Sequence, residues 1–206
     1  MKLEEFISDP KSRELIETVR EFAKSFFDRE GTHGFSHVER VFNLCMHIGK
    51  EEGADLEVLA LAALLHDIAR PLEDSGKVED HALEGARIAR RYLRSLGYPE
   101  DKVEAVAHAI EAHRFSRGPE PATLEAKILS DADKLDAIGA VGIARVFMYS
   151  GEHGRGIDAS IKHFEEKILK LKDLMYTETA RKMAEERHRF TEEFIERLRR
   201  EIEGEI

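Results

Sequence analysis

Tryptophan and glutamine are absent, asparagine occurs once, at Asn43, and cysteine once, at Cys45. A lone cysteine excludes an intramolecular disulfide, which fits a reducing cytoplasm. The neighbours of Cys45 are apolar at helical spacing, so it reads as a small core residue. Long apolar runs are also missing: none approaches the roughly 18–20 residues that a membrane-spanning helix needs. The first residues, Met1-Lys2-Leu3-Glu4-Glu5-Phe6, are acidic and lack the apolar core of a secretory signal, so a cytoplasmic location is expected. Basic charge is in short supply, with 32 Lys and Arg against 42 Asp and Glu and a net charge of −10. That argues against a nucleic-acid binder, which needs a basic face, but leaves room for a nucleotide held by one local cluster. Few amides beside abundant Glu, Lys and Arg is a bias that high growth temperature tends to produce, and a thermophilic source is expected.

What is present is the composition of a folded protein: 206 residues, 42% apolar and 36% charged. That length fits one domain with a substantial core. Apolar residues recur at 3–4 residue spacing almost throughout, and no strand pattern, repeat or low-complexity segment interrupts them. Helices are expected over about 11–27, from about 36 to 49, over about 56–70, 81–96, 99–114 and 124–149, and as two long C-terminal helices over about 158–174 and 177–203. Ser36 is expected to cap the second, with Glu39 completing a capping box. The third is apolar nearly all round, which places it at the centre of a bundle, and Pro71 is expected to stop it. Gly139 and Gly142 are unfavourable inside a helix by roughly 1 kcal/mol each, so a close neighbour is expected there. The fold class is therefore all-α: one helical-bundle domain over 1–206, with a core at about 33–150 and the C-terminal helices packed on it.

The chemistry gathers around Leu64-Leu65-His66-Asp67-Ile68-Ala69-Arg70. A buried imidazole and a buried carboxylate both need partners, and a metal ion serves both. The dipeptide alone is weak evidence; its company is stronger. His37, the His66–Asp67 pair and Asp133 come from three helices and make a mixed N/O set suited to a divalent first-row metal, with positions left for water. One geometric obstacle stands out. Neighbours on a helix diverge by about 100°, so His66 and Asp67 can share an ion only near a helix end. Arg40 lies one turn from His37, Arg70 one turn from His66, and Lys134 adjoins Asp133. These three cations suit phosphate oxygens.

His, then His-Asp, then a distant Asp resembles the HD-domain metal-dependent phosphohydrolase superfamily. The likeness runs through His33-Gly-Phe-Ser-His37-Val-Glu-Arg40, the His66-Asp67 segment, Asp80-His81-Ala-Leu-Glu-Gly85-Ala, Asp131-Ala-Asp133-Lys134-Leu-Asp136, and the run from Ser160 to His188. It implies hydrolysis of phosphate esters or anhydrides, often of nucleotides, on an all-α fold. By position it implies His37, His66, Asp67 and Asp133 as metal ligands, with Asp133 rather than Asp131 or Asp136 in that role. Asp136 would then orient a ligand or a basic side chain. His33, His81 and His113 join Arg40, Arg70 and Lys134 as candidate substrate-binding or catalytic residues. One divalent ion per chain is expected (Mn, Ni, Fe, Co, Zn or Mg), and a second would draw on His81 and His113. Relatives that cleave nucleoside monophosphates carry a Glu where Arg70 stands, so a more anionic substrate, a nucleoside di- or triphosphate, is expected. The competing readings are a nucleotide- or metal-sensing module without turnover, and metal-dependent oxidation at a diiron centre. Neither a nucleic-acid nor a membrane partner is expected, and the sequence is silent on oligomeric state.

Overall fold

The computed structural model describes residues 2–27, 31–32, 34–114 and 118–206. Among them every regular element is helical: α1 (Pro10–Lys24), α2 (Phe35–Glu52), α3 (Leu56–Leu65), α4 (Arg70–Asp74), α5 (His81–Ser95), α6 (Glu100–Ala112), α7 (Leu124–Asp136), α8 (Gly139–Glu152), α9 (Ile157–Glu166) and α10 (Glu178–Ile202), with short 3₁₀ segments at Leu3–Glu5 and Ile168–Leu174. No helix among the described residues is long and apolar enough to cross a membrane. The chain separates into two compact units, Met1–Ala132 and Asp133–Ile206, the boundary falling within α7.

The first unit is built around α3. All eight residues from Val58 to Leu65 are buried, so this helix has no solvent face, and α1, α2, α5 and α6 pack on it. Each large apolar side chain buried in this way contributes roughly 1.5–3 kcal/mol. Carboxylates start the helices: Asp9 accepts from the Ser12 amide, Asp55 from Glu57 and Val58, and Asp80 from Ala82 and Leu83. Helix α2 differs from expectation. Gly34 is its N-cap and Ser36 is already inside the helix, so there is no capping box, and Glu39 instead binds Arg20 of α1.

The third helix also ends earlier than expected. It stops at Leu65, and the chain turns through 66–69 before restarting as the five-residue α4. Pro71 does not end α3; it sits in the first turn of α4, where a missing N–H costs nothing. A continuous helix would have driven its ring against the Asp67 carbonyl, four residues back. That carbonyl instead accepts from the Arg70 amide at 2.9 Å. His66 is thus the C-cap of α3 and Asp67 lies beyond it.

The second unit is formed by α8, α9, the 3₁₀ segment and α10, each packed on the next, with α10 also against α8. The helix expected over about 124–149 is two helices. The break follows Asp136, and Gly139 opens α8 with φ +75°. Its amide donates to Thr191 Oγ1 at 2.9 Å, and Arg187 Nη1 donates to the Leu135 carbonyl at 2.6 Å, so α10 supplies partners to both sides of the break. The break also accounts for Gly142. A Cβ there would lie 2.2 Å from the Ala137 carbonyl oxygen, so the close neighbour is the chain's own turn. At Gly139 the neighbour is the Arg187 side chain, 3.1 Å from a built Cβ. The helix expected over about 158–174 divides likewise, its second half being the 3₁₀ segment.

Gly142→Ala is expected to cost about 1–3 kcal/mol, because backbone atoms cannot yield to a methyl group as a side chain can. Gly151→Ala, in the same helix with open space around it, is expected to gain about 0.5–1 kcal/mol. Thermal unfolding of the two variants checks this; a Gly142→Ala protein as stable as wild type would contradict the close contact.

Candidate metal centre

Four helix ends deliver the polar residues at the middle of the first unit. His37 is in the first turn of α2, His66 closes α3, His81 opens α5 and His113 closes α6. Asp67 follows His66 in the turn. None of the five is more than 4% exposed. Helix ends matter because successive side chains there need not diverge by 100°, and the turn after Leu65 removes that obstacle for His66 and Asp67.

The Asp67 carboxylate is the hub, and its two oxygens face different partners. Oδ2 lies 3.7 Å from His37 Nε2 and 3.9 Å from His66 Nε2, and those two nitrogens are 3.4 Å apart. Oδ1 lies 3.2 Å from His81 Nε2 and 3.7 Å from His113 Nε2. Asp67, His81 and His113 offer one ligand atom each, all within 4.8 Å of one another. Two atoms bound to a common ion at about 2.1 Å stand roughly 3.0–3.4 Å apart, and the observed spacings approach that range.

The tautomers agree with such a role. A carbonyl oxygen only accepts, so His66 Nδ1 donates to Ala63 O at 2.8 Å and His113 Nδ1 donates to Ile110 O at 2.6 Å. Each ring, when neutral, therefore turns a bare Nε2 toward Asp67. His81 Nδ1 meets Glu73 Oε2 at 2.6 Å. Lone pairs on several nitrogens facing an anion repel one another unless a cation lies between them, either a proton or a metal ion. The donor set thus fits a divalent metal. Burial by itself would push the Asp67 carboxyl up, but His66, His81 and His37 outweigh it and hold the group well below the usual carboxylate range. Burial likewise works to lower His81, while Asp67 and then Glu73 act against it, and the net direction is upward.

A second layer of charge surrounds His81. Glu73 Oε1 accepts from Arg114 Nη1 at 2.8 Å, and Arg114 also pairs with Asp80 at 3.3 Å. Arg70 reaches Glu73 at 3.3 Å and Asp74 at 3.5 Å. Burial tends to raise Glu73, yet His81 and Arg114 draw it below its ordinary value. Glu73 and Arg114 were not expected from the sequence. The available signal was Pro71, which marks the first turn of a helix as well as it marks a stop, and α4 is what aims Glu73 at His81.

The remaining candidates are placed as follows. Arg40 is half-buried, one turn beyond His37 on α2. Asp133 is half-buried on α7, the first residue of the second unit. Within that unit Lys134 is buried with Nζ 4.9 Å from the centre of the Tyr176 ring, and the buried Asp136 pairs with Arg145 at 2.9 Å. His33 lies outside the described residues. His108, on the same helix as His113, accepts from the Ala122 amide at 3.0 Å.

Comparison with known proteins places this geometry in a family. Residues 34–138 match the HD domain. Bacillus subtilis YpgQ is 38% identical over 203 residues, which is 94% of this chain and 97% of that protein. The crystal structure of YpgQ in complex with ADP superposes with a TM-score of 0.77 at 35% identity, covering 92% of this chain and 98% of the other. A predicted HD superfamily hydrolase from an uncultured Thermotogales bacterium gives a TM-score of 0.72 at 40% identity, covering 98% and 99% of the two chains. His37, His66, Asp67, His81 and His113 all lie within the matched span, and the chain belongs to the HD-domain family, whose members are generally metal-dependent phosphohydrolases.

Proposed function

We propose that this protein is a metal-dependent phosphohydrolase acting on nucleoside di- or triphosphates. One observation carries the reading: four buried imidazoles present Nε2 to the two oxygens of a single buried carboxylate, in two pairs. An arrangement that needs cations on both oxygens is ill suited to a plain structural core. His37, His66 and Asp67 Oδ2 would hold one divalent ion. Asp133 is assigned to the same ion from its sequence segment, which resembles the family's last-ligand helix. Asp67 Oδ1, His81 and His113 would hold a second, the additional ion that the sequence reading drew on His81 and His113 for. Bound there, divalent metal acidifies water and offsets the charge that develops on phosphate oxygens.

The chain's own residues then set what binds. Among the charged groups named in and around the centre of the first unit, four carboxylates (Asp67, Glu73, Asp74 and Asp80) outnumber three guanidinium groups (Arg40, Arg70 and Arg114). Without metal that surface repels an anion; with two divalent ions its sign reverses. Arg70 lies 3.3 Å from Glu73, 3.5 Å from Asp74 and 3.2 Å from His81 Nδ1, beside the centre, where its guanidinium would also suit phosphate oxygens. Arg40 and Lys134 are proposed to act with Arg70 as phosphate partners, and Asp136 to orient the basic side chain of Arg145. That YpgQ was crystallised with ADP supports a nucleoside polyphosphate as the ligand class.

Metal analysis separates the two donor groups. Wild type is expected to hold two divalent ions per chain, His113→Ala about one, and Asp67→Ala close to none, with the helical circular dichroism of all three alike. Retention of wild-type metal content by Asp67→Ala would refute the centre. A hydrolysis screen with Mn²⁺ tests the substrate. Higher kcat/KM is expected for nucleoside di- or triphosphates than for monophosphates, with Arg70→Ala narrowing the ratio by about tenfold, the loss of one charge-assisted hydrogen bond. Preference for monophosphates would remove the substrate assignment and leave the metal assignment intact. Tight ADP binding without turnover would instead identify a sensing module.

A further inference from the structure

Three of the histidines at the centre have their Nδ1 contacts defined, and one is held differently from the others. His66 and His113 close helices, and each donates Nδ1–H to the carbonyl three residues earlier in its own helix, Ala63 and Ile110. His81 cannot use that device. It is the first residue of α5, and the residue three positions back, Val78, lies outside the helix. Two groups meet Nδ1 here: Glu73 Oε2 of α4 at 2.6 Å, which can only accept, and Arg70 Nη1 at 3.2 Å, which can only donate; the carboxylate contact is the shorter and assigns the proton to Nδ1. The other oxygen of Glu73 is fixed by Arg114 at 2.8 Å, and Arg114 is tied to Asp80, whose carboxylate caps α5 immediately before His81. Glu73 is therefore held from both sides in the orientation that His81 meets.

We propose that Glu73 is the positioning residue for His81: by accepting the Nδ1 proton it leaves Nε2 as the basic nitrogen, aimed at Asp67 Oδ1 beside His113. This deepens the proposed function and rests on its reading of Asp67, His81 and His113 as a cation-binding group. The reasoning is that of any imidazole ligand, whose remote N–H must be taken up by an acceptor that sets tautomer and ring orientation. Glu73 lies only six residues after Asp67 in sequence, and the interruption of α3 followed by α4 is what turns it back onto the centre.

The test reads the tautomer without metal or substrate. In metal-free protein carrying ¹⁵N-labelled histidine, at alkaline pH, neutral His81 is expected to bear its proton on Nδ1. In Glu73→Ala that proton is expected to move largely to Nε2, the ordinary preference of imidazole. In Asp74→Ala, an exposed neighbour on the same helix, it is expected to stay. In a Mn²⁺ titration, affinity at the Asp67–His81–His113 group, identified as the event lost in His113→Ala, is expected to fall by about 10–100-fold in Glu73→Ala and not in Asp74→Ala. Should Glu73→Ala fail to fold, the wild-type spectrum decides: a proton on Nδ1 supports the proposal and a proton on Nε2 overturns it. A Glu73→Ala protein that keeps the Nδ1 proton, or that binds Mn²⁺ as wild type does, also overturns it. Because the tautomer is read without turnover, absence of nucleotide hydrolysis would defeat the proposed function and not this assignment.

Discussion

An ionised carboxylate enclosed by protein is the costliest group in the first unit, and the unit is arranged around it. Moving a carboxylate from water into an interior of low dielectric costs several kcal/mol even after relaxation. Asp67 is held toward its ionised form by the imidazoles at both of its oxygens when they carry a proton, or share a metal ion with it. Little else in the neighbourhood is free to vary once that condition is set. The helix that delivers it must be apolar on every side to reach such depth, and α3 is. The same helix must then stop, or Asp67 would be carried round to a face that His66 does not share. Pro71 makes continuation impossible at the residue whose carbonyl its ring would strike.

Helix ends, more than helix faces, build the centre, and their polarity bears on what they hold. The C-terminal ends of α3 and α6 bring His66 and His113, and the partial negative charge of a helix C-terminus favours a cation. The N-terminal ends of α2 and α5 bring His37 and His81, and their partial positive charge favours an anion such as Asp67 or a phosphate. Each such effect is worth about 0.3–1 kcal/mol when exposed and more when buried. Together they suit a centre where a cation and an anionic ligand lie side by side.

The helical character of the chain was legible because apolar spacing is a local property. The bounds of α5 and α6 and the all-round burial of α3 followed from it closely. The breaks were not legible, and for one reason in each case. Residues 124–149 keep a helical period straight through Ala137 and Ile138, and the interruption shows only in the folded chain, in the positive φ of Gly139 and in the bonds that Arg187 and Thr191 make to either side of it. Ser36 has the spacing of a capping box, but Gly34 takes the cap and Arg20 claims Glu39. Of the centre, His37, His66 and Asp67 could be read from their order along the chain, and the structure brings them within 4 Å of one another. Glu73 and Arg114 escaped notice because 41 residues separate them and nothing in either segment names the other.

The layer outside the ligands explains how so acidic a protein can be expected to receive an anionic substrate. Surface ion pairs such as Arg197–Glu201 or Lys182–Glu178 contribute at most about 1 kcal/mol and are screened by salt. The cluster of Glu73, Arg114 and Asp80 is different in kind, because its members are largely shielded and one carboxylate serves two helices. Its charge is nearly balanced, so it adds little attraction for phosphate of its own. On the proposed function, attraction for an anion would come chiefly from divalent ions held at Asp67, with cations such as Arg70 refining it at short range. A centre organised in this way would couple substrate affinity to metal loading: the imidazoles that share a cation with the buried carboxylate would also set whether the surface before it repels or accepts a phosphate.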